Sequence, residues 1–140
     1  LAPCVVDVLP DHGAAHAQAD AHRGDAVASG RRALEVARAM QGGAADIAVL
    51  HVPTIKPLDE ATILREAARS GRMVIVAENH TLIGGLGEAV AGVLMRARVT
   101  PAFHQIALPD QFLDAGALPT LHDRYGISTE TIVARIKSLL

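Results

Sequence analysis

The chain has 140 residues, half of them hydrophobic, and its 13 Lys and Arg against 15 Asp and Glu give a net charge of −2. This length suits one domain with a single core, and the hydrophobicity excludes disorder along the whole chain. The near-neutral charge and the scarcity of aromatic residues (2 Phe, 1 Tyr, 0 Trp) argue against nucleic-acid binding. No apolar run approaches the roughly 20 residues of a membrane-spanning helix. We therefore expect neither a nucleic acid nor a membrane as partner.

Residues 1–23 have no usable periodicity and are interpreted as an N-terminal arm or linker. Within them, Cys4–Leu9 has the apolar character of a short strand, which Pro10 would stop. The arm also contains four potential metal ligands, namely His12, His16, Asp20 and His22. Their spacing would suit a metal only on a helix, and Gly13 disfavours a helix there. We expect a solvated arm and assign no metal site.

From residue 24 onward, strand and helix patterns alternate. Strands are predicted at Ala26–Ala28, Asp46–Val52, Met73–Ala77 and Ala102–Leu108. Helices are predicted over 31–41, from Asp59 to just before Gly71, after Gly87, near 115–124 and after Ser128, with Asp59 and Ser128 as the expected N-caps of their helices. The helix over 31–41 is expected to bury one face, formed by Ala33, Leu34, Ala37 and Met40. Strands separated by helices indicate βαβ crossovers, so residues 24–140 are predicted to form one α/β domain.

The candidate site lies where the Met73–Ala77 strand ends. Glu78, Asn79 and His80 follow the strand, and the carboxyl ends of parallel strands commonly carry sites in open α/β folds. Glu78 and His80 are expected to share a side and could act as an acid/base pair; the alternative is an interface or a loop-fixing hydrogen-bond network.

Gly84, Gly85 and Gly87 come next, at the start of a predicted helix. Helix-start amides there could hold an anion, but the alternative is a tight turn that needs glycine for its backbone. Nucleophiles are poorly supported, because the chain has no G-x-S-x-G elbow, no P-loop and only Cys4 as a thiol. The residues themselves therefore predict an α/β domain without a self-contained active site, and we assign no catalytic, cofactor-binding or metal residue.

Taken in order, a series of short strings resembles the C-terminal domain of the transketolase family. The strings are Gly24-Asp25, Ala28-Ser29-Gly30, Pro53-Thr54-Ile55-Lys56-Pro57-Leu58-Asp59, Glu78-Asn79-His80, Gly84-Gly85-Leu86-Gly87, Leu108-Pro109-Asp110-Gln111-Phe112 and Leu121–Ile127. Relatives with this domain include transketolases, 1-deoxyxylulose-5-phosphate synthases and 2-oxoacid dehydrogenase beta subunits. The Lys-Pro-Leu-Asp and Glu-Asn-His strings are most similar to split bacterial transketolases.

The resemblance implies a three-layer domain with a mostly parallel five-stranded sheet, one strand of it antiparallel. It also implies a dimeric, cytoplasmic enzyme of pentose phosphate metabolism, which uses thiamine diphosphate and Mg to move a two-carbon ketol unit between sugar phosphates. In that family the cofactor is held by two other domains, which this chain does not contain.

The first family strand is shortened here, between Asp25 and Ser29-Gly30. We expect Cys4–Leu9 to fill the vacant position in the sheet. Because the chain begins with Leu1 and not Met, we also expect it to be part of a longer catalytic unit.

The leading hypothesis is that the chain is an assembly domain that is inactive alone. Its expected partners are the remaining transketolase domains or a second subunit, and the expected oligomeric state is a homo-oligomer. Glu78, Asn79, His80, Gly84, Gly85 and Gly87 would form its interface. The alternatives are a stand-alone module that binds a nucleotide or anion, and a fragment of a 2-oxoacid dehydrogenase beta subunit.

Overall fold

The computed structural model describes residues 2–7, 32–40, 47–52 and 54–140. Its strands are β1 (Ala2–Asp7), β2 (Ala48–His51), β3 (Arg72–Thr81) and β4 (Ala102–Leu108). Its helices are α1 (residues 32–39), α2 (Glu60–Ala67), α3 (Leu86–Arg96), α4 (Leu118–Arg124) and α5 (Thr129–Leu139). The predicted strand at Ala26–Ala28, the rest of the arm from residue 8 and its histidines lie outside the described residues.

The described strands form one sheet in the order β2-β1-β3-β4, and every pair in it is parallel. The α/β class with a parallel sheet is therefore confirmed. Four strands are present in the described part of the chain, and the antiparallel fifth strand implied by the resemblance is not among them.

Strand β3 runs through the centre of the core, because its side chains alternate between two apolar layers. Val74 and Val76 pack on one face with residues of α2 and α3, including Ile63 and Val90. The opposite face of the strand packs against α1, β4 and α5 through a second set of residues: Met73, Ile75, Ala77, Val36, Met40, Ile106, Ile132 and Ile136. A strand covered on both faces is the expected state of a parallel sheet, and it confirms the three-layer architecture.

Two details differ from expectation. The buried side chains of α1 and of the residue that follows it are Ala33, Val36 and Met40, whereas Leu34 is half exposed. The predicted stripe was therefore wrong at Leu34, because α1 is rotated so that Ala33, Val36 and Met40 face the core. In addition, β3 continues to Thr81, since Thr81 still pairs with Leu108 of β4 beyond a register irregularity after Ala77. Glu78, Asn79 and His80 thus lie inside the strand and not after it.

Strand β1 takes an interior position in the sheet. Its residues pair with β3 on one side, from Ala2 opposite Arg72 to Asp7 opposite Ala77, and with β2 on the other. The prediction that the Cys4–Leu9 segment fills a sheet position is confirmed for Cys4–Asp7, and Val8 and Leu9 lie outside the described residues.

Candidate functional site

The connection from β3 to α3 is a tight turn fixed by several local hydrogen bonds. The Thr81 hydroxyl donates to the Ile83 carbonyl at 2.8 Å, and the Gly84 amide donates to Glu88 Oε2 at 2.8 Å. Gly84 has a φ of 78°, in the left-handed region where a side chain is disfavoured, so glycine is needed for the backbone here. The turn-forming alternative therefore accounts for Gly84.

Glu78 lies beneath this turn and is only 5% exposed. Its Oε2 accepts from the Leu86 amide at 2.7 Å, and its Oε1 accepts from the Gly87 amide at 2.9 Å. These amides belong to the first turn of α3, where N–H groups lack helical partners and the helix dipole favours negative charge. The anion at this helix start is thus the protein's own carboxylate, and an external anion would have to displace Glu78. The geometry favours the loop-fixing hydrogen-bond network over anion binding.

Gln105 of β4 completes the arrangement. Its Nε2 donates to Glu78 Oε1 at 2.9 Å and to the Leu82 carbonyl at 3.0 Å, so it ties the carboxylate and the turn to the neighbouring strand. Sequence reasoning missed this residue, although a glutamine inside the otherwise apolar end of β4 was a usable signal. We call Glu78, Gln105, Gly85 and Gly87 the buried cap cluster.

The two glycines of the buried cap cluster are explained by close approach. A Cβ placed on Gly85 would collide with the Glu78 carboxylate, and one on Gly87 would collide with the Gln105 side chain. Neither residue has a positive φ. They are therefore required for space, in contrast to Gly84, around which a Cβ would meet nothing within 4 Å.

The structure does not bring Glu78 and His80 together as an acid/base pair. His80 is exposed, and its Nδ1 donates to the Thr81 carbonyl at 3.1 Å, while Asn79 is also exposed. Among the hydrogen bonds of the described residues, none joins Glu78 to His80. The register irregularity between Ala77 and Thr81 interrupts the regular alternation of the strand, which is why residues two apart do not share an environment.

Exposed apolar side chains follow β3 and β4 at the carboxyl edge of the sheet, where both parallel strands end. Leu82 and Ile83 of the β3–α3 turn are 42% and 57% exposed, and Phe112 of the following loop is fully exposed. The Leu82 amide donates to the Leu108 carbonyl at 2.9 Å, so the two connections run side by side. We call Leu82, Ile83, Phe112 and the 39% exposed Leu113 the apolar ledge.

The loop that carries Phe112 is held by Asp114. The Asp114 amide donates to the Tyr125 hydroxyl at 2.9 Å, that hydroxyl donates to Asp114 Oδ2 at 3.1 Å, and Arg124 forms an ion pair with the same carboxylate. Both parts of the apolar ledge are therefore attached to the sheet or to α4 by hydrogen bonds. A preorganised apolar surface of this kind is typical of a protein interface.

A cavity of about 250 Å³ lies at the carboxyl end of β2, and the sequence did not reveal it. It is lined by Leu50, His51, Val52, Thr54, Pro57, Asp59, Thr62 and Ile63. Asp59 is the N-cap of α2, and hydrogen bonds from the Thr62 backbone and side chain hold the pKa of its carboxyl below the usual range. In the described part of the chain, no three His, Cys, Asp or Glu residues are grouped to hold a metal ion, and no helix is long and apolar enough to cross a membrane.

Comparison with known proteins gives one family. Residues 27–132 match the model of the transketolase C-terminal domain. The chain is 70% identical over 110 residues to the transketolase family protein y4mN of Sinorhizobium fredii, an alignment that covers 78% of this chain and 32% of the relative. It is 38% identical over 108 residues to 1-deoxy-D-xylulose-5-phosphate synthase 2 of Geobacter sulfurreducens, covering 76% of this chain and 17% of that enzyme.

A further relative and a solved structure are consistent with this. The chain is 36% identical over 101 residues to the 6-deoxy-6-sulfo-D-fructose transketolase subunit SqwH of a Clostridium species, covering 72% of this chain and 31% of the subunit. The solved structure of a split-gene transketolase, an inactive beta4 tetramer, matches with a TM-score of 0.73 at 24% identity, over 98% of this chain and 37% of that chain. The chain thus spans about a third or less of the curated relatives named here.

Proposed function

The chain belongs to the transketolase C-terminal domain family, and from this premise we propose that it is the assembly domain of a transketolase-type enzyme. In this proposal it contributes an interface and not a catalytic group. Its partners are the remaining transketolase domains or a second subunit, and the assembly is a homo-oligomer in the cytoplasm. The complete enzyme transfers a two-carbon ketol unit between sugar phosphates.

The apolar ledge is the observation that carries this proposal. Leu82, Ile83 and Phe112 expose large apolar side chains at one edge of the sheet, on connections that hydrogen bonds hold in place. Such side chains stabilise a complex when a partner covers them, and fixed loops lose little conformational entropy on binding. Phe112, as an exposed aromatic residue, is the expected anchor of the interface.

The position of Glu78 also supports an assembly role. A carboxylate that acts as general acid or base must reach a substrate, but both oxygens of Glu78 accept N–H donors inside the fold. Glu78 instead fixes the start of α3 and, through Gln105, the turn that carries Leu82. In the proposed enzyme, thiamine diphosphate and Mg are bound by other domains.

Calorimetry on this chain tests the claim that it is inactive alone. Titration with thiamine diphosphate in the presence of Mg²⁺ is expected to give no saturable heat, and xylulose 5-phosphate is expected to remain unconsumed. Tight, Mg²⁺-dependent binding of the cofactor to this chain would contradict the proposal.

Sedimentation velocity tests the interface. An Ile83→Asp variant is expected to shift the chain from oligomer to monomer, because a buried charge at an apolar contact is unfavourable. Met95→Asp provides the matched control, since Met95 is 74% exposed at the far end of α3, near the amino edge of the sheet. Equal effects of the two variants, or a monomeric wild type, would contradict assembly through the apolar ledge.

The cavity beside Asp59 supports a second candidate, a module that binds a small ligand such as a nucleotide or a sugar phosphate. Its volume of about 250 Å³ is near the lower limit of about 300 Å³ for ligand pockets, and its walls combine apolar side chains with Thr54, Thr62 and His51. A thermal-shift screen with nucleotides and sugar phosphates separates the candidates. No shift favours the assembly role, and a saturable shift that Thr62→Val removes favours the ligand-binding module.

A further inference from the structure

The cavity at the carboxyl end of β2 has apolar walls and a polar entrance. Leu50 of β2, Val52 and Ile63 of α2 line it, and the last two of these side chains are buried. Thr54 and Asp59 line it as well, and both are exposed. Its volume of about 250 Å³ admits only a small molecule, since ligand pockets begin at about 300 Å³. The cavity therefore offers hydrocarbon contacts inside and polar contacts at its opening.

Asp59 determines the charge of this cavity. Among the described residues that line it, Asp59 is an acid and none is Lys or Arg. Hydrogen bonds from Thr62 hold the pKa of the Asp59 carboxyl below its usual value, so the group is ionised at neutral pH. Its Oδ1 accepts from the Thr62 amide at 3.0 Å, and an ionised carboxylate can accept further donors on both oxygens. The cavity thus presents a negatively charged acceptor to a ligand.

The charged residues near Asp59 are paired with other groups or lie outside the cavity. Glu60 forms an ion pair with Arg96 at 2.9 Å, and Arg65 forms one with the next residue along the chain at 3.3 Å. Lys56 is exposed and does not line the cavity. A phosphate in the cavity would be repelled by the Asp59 carboxylate, whereas a cation would be attracted to it.

The acceptors of the cavity match the donors of a primary ammonium group. Such a group has three N–H donors and no acceptor. The Asp59 carboxylate, the Thr54 hydroxyl and a neutral His51 ring can each accept a hydrogen bond, and all three residues line the cavity. Leu50 and Ile63 provide apolar surface for the hydrocarbon part of an amine, and burial of that part contributes to affinity.

We propose that this cavity is a binding site for a small primary amine, whose ammonium group pairs with Asp59 and whose short hydrocarbon body packs against Leu50 and Ile63. The proposal names the ligand class of the second candidate function given above, and selects an amine over a nucleotide or a sugar phosphate. It does not rest on the assembly role, which sedimentation velocity tests separately.

Three probes with the same ring and different charges test the proposal. Cyclohexylamine, cyclohexanol and cyclohexanecarboxylate are titrated into the full chain at neutral pH, and backbone amide shifts of residues 50–63 are followed by NMR. The amine is expected to shift them saturably, and the alcohol is expected to bind about fivefold more weakly, the range of an exposed ion pair. The carboxylate is expected not to bind. Equal affinities for the amine and the alcohol, or no saturable binding of the amine, would overturn the proposal.

Matched variants locate the ammonium group. Asp59→Asn removes the charge but keeps a good N-cap for α2, so it is expected to reduce the affinity for the amine to that for the alcohol. Glu60→Gln removes the neighbouring carboxylate, which does not line the cavity, and is expected to leave the affinity for the amine unchanged. Equal losses in the two variants would indicate general surface attraction and contradict the site.

Two further measurements separate this site from other causes. Thr54→Phe places a large side chain at the opening, and is expected to weaken binding of the amine and the alcohol alike. Added salt is expected to weaken binding of the amine but not of the alcohol, because it screens the ion pair. Unchanged binding of the amine to Thr54→Phe, or tighter binding of a sugar phosphate than of the amine at residues 50–63, would contradict the amine assignment.

Discussion

Helices α2 and α3 begin at the same edge of the sheet, but their first turns are stabilised in different ways. At α2 the cap is local and exposed: the Asp59 carboxylate accepts from the Thr62 amide at 3.0 Å, three residues along the chain. At α3 the N-cap is Gly85, which has no side chain, and the carboxylate comes from Glu78 in the preceding strand. The cap of α2 is solvated and comes from the residue just before the helix, whereas the cap of α3 is buried and comes from a strand of the sheet.

This difference affects how each helix responds to change. Water can replace an exposed cap, so its loss affects mainly the first turn of its own helix. A buried cap that also bonds to Gln105 connects α3, the β3–α3 turn and β4, so its loss exposes several unsatisfied groups at once. We therefore expect the large effects to concentrate at the buried cap cluster.

Glu78→Ala is expected to have the largest effect. It would leave the Leu86 and Gly87 amides buried without acceptors, and such orphaned groups cost about 1 to 3 kcal/mol each. A loss of about 3 kcal/mol in the free energy of unfolding is expected in urea denaturation. Glu88→Ala serves as control, because Glu88 is exposed and water can replace its bond to the Gly84 amide. A similar loss in both variants would contradict a special role for the buried carboxylate.

Gly85→Ala should have the second-largest effect. It is expected to lower the free energy of unfolding by about 2 kcal/mol, because the added methyl group would overpack against Glu78. The control is Gly84→Asn, one residue earlier, where a side chain would meet open space and asparagine tolerates the left-handed conformation. This variant should lower the free energy of unfolding by less than about 1 kcal/mol. The double variant Glu78→Ala with Gly85→Ala should cost less than the sum of the single losses, because the clash is removed. Additive losses would show that the two residues do not interact.

Ser128→Ala tests a local cap on a further helix, α5. Ser128 Oγ accepts from the Thr131 amide at 3.4 Å at the start of α5, and removal of such a cap costs about 1 kcal/mol. Ser138→Ala, an exposed change in the last turn of the same helix, should alter stability by no more than about 0.5 kcal/mol. Thermal melts of the two variants compare their loss of stability. A larger loss in Ser138→Ala than in Ser128→Ala would contradict the cap assignment.

The sequence predicted the local caps and missed the remote one for a physical reason. Asp59 and Ser128 carry their signal within three residues of the helix start, so both caps were predicted and both are present. The partnership of Glu78, Leu86 and Gln105 depends on the turn geometry and on the register of β3 against β4, which no short pattern specifies. The parallel sheet, its two covered faces and the segment that joins it near Cys4 followed from hydrophobic runs, which is why they were predictable.

The smallest effect is expected at Asp59, and it depends on pH. Hydrogen bonds from Thr62 lower the pKa of the Asp59 carboxyl from its ordinary value of 3.8, so the folded state favours the charged form. The resulting stabilisation is fully present above the unfolded-state pKa and is lost as the pH falls through the lower folded-state pKa. Asp59→Asn keeps an acceptor for the Thr62 amide but cannot titrate, and asparagine caps about as well as aspartate.

The melting temperature of Asp59→Asn should therefore be slightly below that of the wild type at neutral pH, and the difference should vanish in acid. The residual advantage of aspartate at neutral pH comes from its charge beside the positive end of the α2 dipole, which salt screens. Added salt should accordingly shrink the neutral-pH difference without altering the acid limit. A difference that persists unchanged from neutral to acid pH would assign the effect to packing, and α2 would then resemble α3 in depending on contacts beyond its own first turn.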